Sequence, residues 1–413
     1  MLLQMEQQTL ELMLQNCLGS LNITESKSET NRLLLLQALY PGLTIKNRSN
    51  SDDSVAMNHA LTTDSNLIDI HHAGTAMRFL TAFFATQAGR EVVLTGSSRM
   101  QERPIGVLVE ALRKLGAQIA YEQEEGYPPL RITGKALKGG AVSLPANISS
   151  QYISALLLIA PHLEEGLNLT LEGEITSLPY LKMTLALLNR IGVRSQFEDK
   201  NIKISQQKTI ADQTQVVESD WSSASYHFSC VALSKAGRIR LSSYRQDSLQ
   251  GDAVLIAVYK KLGVDTRFEN DQMILEKIKD FELPKTLALD LVEAPDIAQT
   301  IAVSCYGLGV ACDLTGLHTL KIKETDRLIA LENELSKLGA QIRVTEDSLH
   351  LSADQDFKVD QTIATYSDHR MAMAFAPLAL KISHQIAESN VVTKSYPDFW
   401  NDLEAIGFEL VEK

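Results

Sequence analysis

Apolar and polar positions along the chain fall into two interleaved series. Six stretches are apolar on nearly every side: SKSETNRLLLLQALYPG, AGTAMRFLTAFFATQAG, SSQYISALLLIAPHLEEG, SSASYHFSCVALSKAG, APDIAQTIAVSCYGLG and SDHRMAMAFAPLAL. A helix that is apolar all round is a buried one, so these predict six core helices. Between them run five amphipathic stretches, each ending in Leu or Ile, then Gly, then a strand-like run: EALRKLGAQIAY, LALLNRIGVRSQF, AVYKKLGVDTRF, ENELSKLGAQIRV and NDLEAIGFELV. Their glycines, Gly116, Gly192, Gly263, Gly339 and Gly407, are 76, 71, 76 and 68 residues apart and suit the left-handed residue that ends a helix. Counting from Ser149, the next buried-helix starts are Ser222, Pro295 and Asp368, each 73 residues on.

This spacing predicts about six copies of one βαβαββ unit, in which a buried helix, an amphipathic helix and a hairpin such as VRSQFEDKNIKIS recur. A period of about 73 exceeds those of the common solenoids, so three units around shared helices make one domain and six make two. The fold class is therefore α/β. The polar stretch SQQKTIADQTQVVESD (205–220) marks the boundary. The first apolar helix has no amphipathic partner before it, and the last amphipathic segment ends the chain. The N-terminal segment is thus expected to complete the C-terminal domain. That gives one domain over 20–219 and another over 1–19 plus 220–413, with crossings near 19–20 and 219–220.

Composition narrows the partners. The chain has 413 residues, 45% hydrophobic and 22% charged, which is ordinary for a globular protein. With 39 basic and 51 acidic residues the net charge is −12, which argues against nucleic acid, whose phosphates call for an excess of Lys and Arg. No apolar run reaches the roughly 18 residues of a membrane span, and the start MLLQMEQQTLELML lacks a basic leader, so a cytoplasmic protein is expected. Cys17, Cys230, Cys305 and Cys312 form no CxxC pair and read as buried, reduced thiols. Neither GxxxxGK[ST] nor GxGxxG is present, which argues against a P-loop kinase or a Rossmann dehydrogenase. His71 and His72 have no carboxylate at ligand spacing, so no metal is expected.

The candidate chemistry gathers where the buried helices begin. Lys27, Ser28 and Arg32 lie at the first; Gly74, Thr75 and Arg78 at the second; Ser149, Ser150 and Gln151 at the third; Asp296 at the fifth; His369 and Arg370 at the sixth. Helix N-termini carry unpaired N–H groups and partial positive charge, and basic residues beside them suit phosphates or carboxylates. Ordinary N-capping is the alternative for any one of them. RMQERPIG (99–106) sets Arg99 and Arg103 around Glu102, with Pro104 at an expected helix start; a surface ion-pair network is the alternative. KETDRL (323–328) sets Lys323, Glu324 and Arg327 at the opening of an amphipathic helix. There Lys323 and Arg327 share a face, and an anion between them would relieve their repulsion.

These segments, SKSETNR (26–32), AGTAMR (73–78), RMQERPIG, SSQ (149–151), QGD (250–252), Pro295-Asp296, KETDR and SDHRMAM (367–373), resemble in kind and order those of the 5-enolpyruvylshikimate-3-phosphate synthases, an enolpyruvyl transferase family. The resemblance implies two domains, each of three repeated units around buried helices, an inverse α/β barrel. It implies transfer of the enolpyruvyl group of phosphoenolpyruvate to the 5-hydroxyl of 3-phosphoshikimate, with release of phosphate and no metal or organic cofactor, by a monomer.

By position, Asp296 matches the family's acceptor of the hydroxyl proton, Glu324 its glutamate for proton transfer at the methylene, and Lys27 a lysine that meets phosphoenolpyruvate and shuttles a proton. Gly74, Arg103, Gln151, Arg327, Arg370 and Lys394 align with the remaining phosphoenolpyruvate contacts. Ser28, Arg32, Ser149, Ser150, Ser177, Tyr180 and Lys323 align with residues that hold 3-phosphoshikimate, as do Lys27, Gln151 and Asp296. The cationic groups are divided between the two predicted domains, which implies closure on the substrates. The chain departs from the family pattern at Thr24 and Glu25 (usually Pro-Gly), His72 (Asn), Phe79 (Pro) and Thr319 (Asn). The rivals are the sister enzyme acting on UDP-N-acetylglucosamine, which relies on a loop cysteine absent around Arg99 to Arg103, and an inactive binding homologue.

Overall fold

All six apolar stretches are helices in the computed structural model: α1 (Lys27–Leu39), α2 (Gly74–Ala85), α3 (Ser150–Ile159), α4 (Trp221–Leu233), α5 (Ala298–Leu308) and α6 (His369–Phe375). The structure describes residues 7–10 and 16–412, apart from 148, 174, 176, 177, 271 and 355. α2, α4 and α5 are buried along almost their whole length, which follows from apolar side chains on every face. The five amphipathic stretches are helices too, and the glycine after each lies at a φ between 83° and 108°, where a side chain would be strained.

The repeat is plainest over residues 67–133. Strand Leu67–Asp69 leads into α2, which returns to the parallel strand Glu91–Thr95; helix Gly106–Lys114 follows, then the hairpin Gln118–Tyr121 and Leu130–Thr133. The same sheet order, one parallel pair followed by two antiparallel neighbours, occurs in four further sheets. In one of these, Gln7–Leu10 from the N-terminus lies between His384–Ala387 and Leu410–Glu412.

The sixth sheet differs. It has two strands, Leu43–Lys46 and Gln213–Val216; helix Asp52–Thr62 holds the place that Gly106–Lys114 has in the repeat above, and the chain runs from it to Leu67–Asp69 with no hairpin between. The loss shows in the spacing, because α1 starts at Lys27 and α2 at Gly74, 47 residues on rather than 73.

Chain contacts separate two units, residues 25–217 and residues 1–24 with 218–413. The first passage between them falls after Thr24 rather than near Gly19, because strand Asn16–Leu21 stays paired in parallel with Ala236–Ser242. The second falls after Val217. Each passing strand pairs within the unit that the chain is about to leave. Ser219 Oγ donates to the carbonyl of Ile23 at 3.2 Å and the Asp220 amide to that of Thr24 at 2.9 Å, so the two passages lie side by side. Next to them the buried Glu218 carboxylate accepts from Trp221 Nε1 (2.8 Å), the Arg245 amide (2.9 Å) and Ser248 Oγ (2.7 Å). All four cysteines are buried and unbridged in the unit that contains both termini.

Candidate active site

In that unit one guanidinium organises the polar residues. Arg327 opens the helix Arg327–Lys337, where Asp326 caps the first turn by accepting from the amides of Leu328 and Ile329, each at 3.2 Å. The Arg327 side chain turns inward and is 2% exposed. It donates from Nε to Asp368 (2.6 Å), from one terminal nitrogen to Asp296 (2.8 Å), and from the other to Glu324 (2.8 Å). Lys323 Nζ lies 3.4 Å from Asp296, and Arg370 reaches the other oxygen of that carboxylate, also at 3.4 Å. Asp368, fully buried, also accepts from the Arg370 amide at 2.8 Å and so caps α6.

The charges settle one another. Burial works against an ionised Asp296, but Lys323, Arg370 and Arg327 outweigh it and hold the carboxyl well below its usual range. Burial likewise opposes the charge of Arg327, and Asp368, Glu324 and Asp296 more than offset it, raising its affinity for the proton. Arg370 is raised in the same way, chiefly by Asp296. Asp252 behaves oppositely: burial and the neighbouring Asp296 push its carboxyl up to about 6, although Ser222 Oγ donates to it.

Two expectations change here. Lys323 and Glu324 precede the helix, so Lys323 and Arg327 do not share a helical face; the anion beside both is Asp296. Pro104 does not open its helix either. A four-residue turn, Ser98–Gln101, comes first, and the next helix starts at Gly106. Lys394 ends the turn Ser389–Lys394 and donates to the carbonyl of Ser367 at 2.7 Å, directly before the α6 cap.

In the unit of residues 25–217 the donors are arranged differently. Ala73, directly before α2, supplies no side-chain cap, so the first-turn N–H groups of the helix keep their donor capacity. A Cβ on Gly74 would stand 2.5 Å from a terminal nitrogen of Arg103, so only Gly lets this guanidinium lie against the helix start. Among the described residues Arg103 has no acid within ion-pair distance. Gln151 Nε2 donates to Thr75 at 3.2 Å, tying the starts of α3 and α2 together. Lys27 Nζ lies 3.6 Å from the buried Asp53.

Arg32 is 2% exposed and bonded to Thr184 Oγ1 (2.8 Å), the Ser28 carbonyl (2.8 Å) and Ser154 Oγ (3.1 Å). It lies 5.4 Å from the Phe79 ring and 6.0 Å from that of the half-buried Tyr180. Burial lowers it to about 10, with Tyr180 and Glu29 acting against the shift. Arg78 holds the carbonyls of Gly74 (3.2 Å) and Pro104 (3.1 Å) and so braces the Arg103 segment. Arg99 pairs with Glu102 at 2.7 Å on the surface, as its alternative reading had it. Ser149 is exposed and caps α3 through the Gln151 amide at 3.4 Å, and Ser150 is buried as the first residue of that helix. Ser177 lies outside the described residues. At the departures from the family pattern, Phe79 is fully buried, His72 lies 3.7 Å from Asp52, and the buried Thr319 hydroxyl has no partner among the described residues.

Sequence reasoning missed Asp368 and Asp252 as members of the charged cluster. Both sit in segments it had quoted, SDHRMAM and QGD, but nothing local in the sequence says that their carboxyls turn toward Arg327 and Ser222.

The family model for EPSP synthase (3-phosphoshikimate 1-carboxyvinyltransferase) matches residues 62–403. A 3-phosphoshikimate 1-carboxyvinyltransferase of Bacteroides fragilis is 46% identical over 396 residues, covering 94% of this chain and 95% of that one. One from Shewanella halifaxensis is 34% identical over 419 residues, covering 94% and 96%. EPSP synthase from Acinetobacter baumannii has the same fold, with a TM-score of 0.82 over 99% of this chain and 100% of that one, at 21% identity. The chain belongs to the EPSP synthase family.

Proposed function

We propose that Asp296, Glu324 and Lys27 carry the proton transfers of this family's reaction, and that the two sets of cationic groups hold the anionic ends of its substrates. The protein is a transferase of the shikimate pathway. It moves the enolpyruvyl group of phosphoenolpyruvate to the 5-hydroxyl of 3-phosphoshikimate and releases phosphate, giving 5-enolpyruvylshikimate 3-phosphate, on the route to chorismate and the aromatic amino acids. The hydroxyl oxygen bonds to C2 of phosphoenolpyruvate as it loses its proton, while C3 gains one. C3 then gives up a proton as the bond from C2 to the phosphate oxygen breaks. Both steps need acid and base groups within hydrogen-bond reach.

The observation that carries this reading is the single guanidinium of Arg327, which holds the Asp296 and Glu324 carboxylates at 2.8 Å each. In our reading Asp296 takes the hydroxyl proton and Glu324 works at the methylene. Arg327 and Arg370 turn from Asp296 to the incoming carboxylate and phosphate, as guanidinium groups suit both, and this frees Asp296 as a base. Arg103, Lys394, Gln151 and the first turn of α2 at Gly74 complete the hold on phosphoenolpyruvate, with Lys27 on both substrates. Ser28, Arg32, Ser149, Ser150, Ser177, Tyr180 and Lys323 hold 3-phosphoshikimate.

The proposal extends to a cytoplasmic monomer that needs no cofactor: the net charge of −12 opposes self-association, and among the described residues no helix is long and apolar enough to cross a membrane. The test is phosphate release from phosphoenolpyruvate with either of two acceptors. Release with 3-phosphoshikimate alone is expected. Release with UDP-N-acetylglucosamine would make it the sister enzyme, and none with either an inactive homologue.

A further inference from the structure

Away from the Asp296 cluster, the unit that contains both termini has a cavity of about 420 Å³ with Lys235, Lys277 and Lys279 around it. In a chain of net charge −12 this is a local excess of cations, and among the described residues Asp280 is the one acid in the lining. Ile278, Phe281 and Leu283 supply an apolar wall, and the Phe281 ring is packed so closely on Gly263 that a Cβ there would lie 3.1 Å from it. Lys277 closes the strand Gln272–Lys277 and donates to the Ala232 carbonyl in the last turn of α4, which fixes its ammonium at the cavity.

Its neighbours are like charges. Burial lowers Lys277 to about 8 and Lys381 adds to the shift; Lys381 is lowered in turn by burial and by Lys235. Among the described residues no acid counts among the charges that shift either amine. Half-buried ammonium groups that repel one another gain from an anion placed among them.

We propose that this cavity binds a small anion with an apolar ring, an aryl phosphate or aryl carboxylate, its head on Lys277 and Lys235 with Lys381 adding charge, and its ring on Phe281. The test uses the full chain with its lysines carrying ¹³C-methyl labels, titrated with phenyl phosphate, benzoate and inorganic phosphate. Lys277→Arg, which keeps the charge, identifies the Lys277 signal.

Phenyl phosphate or benzoate should move the Lys277 titration upward from about 8, at concentrations about tenfold below those at which inorganic phosphate does so. Which of the two acts at the lower concentration tells phosphate from carboxylate. Lys381→Met, or Lys235→Met at the exposed rim, should weaken that binding about tenfold while turnover without the probe is unchanged. A Lys277 signal indifferent to both ring-bearing anions would overturn the proposal. So would inorganic phosphate acting as well as they do, or unchanged binding in both Met variants.

Discussion

Arg327 and Arg32 are equally buried, yet their surroundings push them in opposite directions. Arg327 has three carboxylates on its three donor groups and is held more firmly protonated than a free guanidinium. Arg32 has two hydroxyls and a carbonyl, and burial drags it down to about 10. Arg78, bonded to carbonyls, is likewise lowered to about 10 by burial and then by the charge of Arg103. The cluster around Arg327 is therefore neutralised in advance, so an anionic substrate must compete with Asp296 for its arginines. The unit of residues 25–217 keeps cations that gain from an arriving anion. The first arrangement suits proton transfer, where charge has to be moved between fixed groups. The second suits capture.

The sharpest way to break this comparison is to remove an acid from the neutralised cluster. Glu324→Gln keeps an acceptor for Arg327 but cannot carry a proton, so turnover should fall by about 10²–10⁴ while substrate binding persists. Stopped-flow single turnovers and equilibrium binding check this; near-normal turnover would take Glu324 out of the mechanism.

Next comes stability. Arg327→Met strands Asp368 as a buried charge and takes one of three cations from Asp296, and should cost about 3–5 kcal/mol, whereas Arg32→Met leaves only neutral partners and should cost about 1–3 kcal/mol. Denaturant unfolding measures both, and equal losses would remove the distinction between the two arginines.

A pH test follows. The Asp252 carboxyl has its folded value raised from 3.8 to about 6. Its proton therefore stabilises the folded state fully below pH 3.8, and that stability is lost as pH rises through about 6. Asp252→Asn, which does not titrate, should gain about 2 kcal/mol on its parent between pH 4 and pH 7. Parallel stability curves for variant and parent would show the carboxyl unperturbed.

The smallest effect is expected at Gly74→Ala. The added Cβ, 2.5 Å from a terminal nitrogen of Arg103, pushes that flexible guanidinium away from the helix start by about an ångström, so KM for phosphoenolpyruvate should rise about threefold with kcat retained. A change confined to kcat would place Arg103 elsewhere in the cycle.

How far the sequence reveals this molecule depends on the range of the interactions involved. The buried helices and the glycines after the amphipathic ones follow from local rules, apolar residues on all faces and a left-handed residue at the C-terminus, and the structure has both. The missing hairpin after the first buried helix shows in the short interval from Lys27 to Gly74, whereas the pairing of each passing strand within the unit it leaves is a long-range choice that no local pattern encodes. The same divide runs through the site. The motifs mark Lys323, Glu324 and Arg327, but periodicity places Lys323 on a helix it does not join. The partner that draws them together, Asp296, comes from a turn 27 residues before Lys323, and Asp368 from another 41 residues after Arg327. Sequence spacing sees such groups as separate helix starts; only packing brings their charges within 4 Å.

The central claim is that Asp296, kept ionised by three cations, becomes the base once the substrates draw those cations away. The measurement that tests it most directly is kcat of Asp296→Asn with phosphoenolpyruvate and 3-phosphoshikimate both saturating. The account predicts a fall of at least about 100-fold, with KM values within about threefold of the parent. Turnover close to the parent's would contradict it.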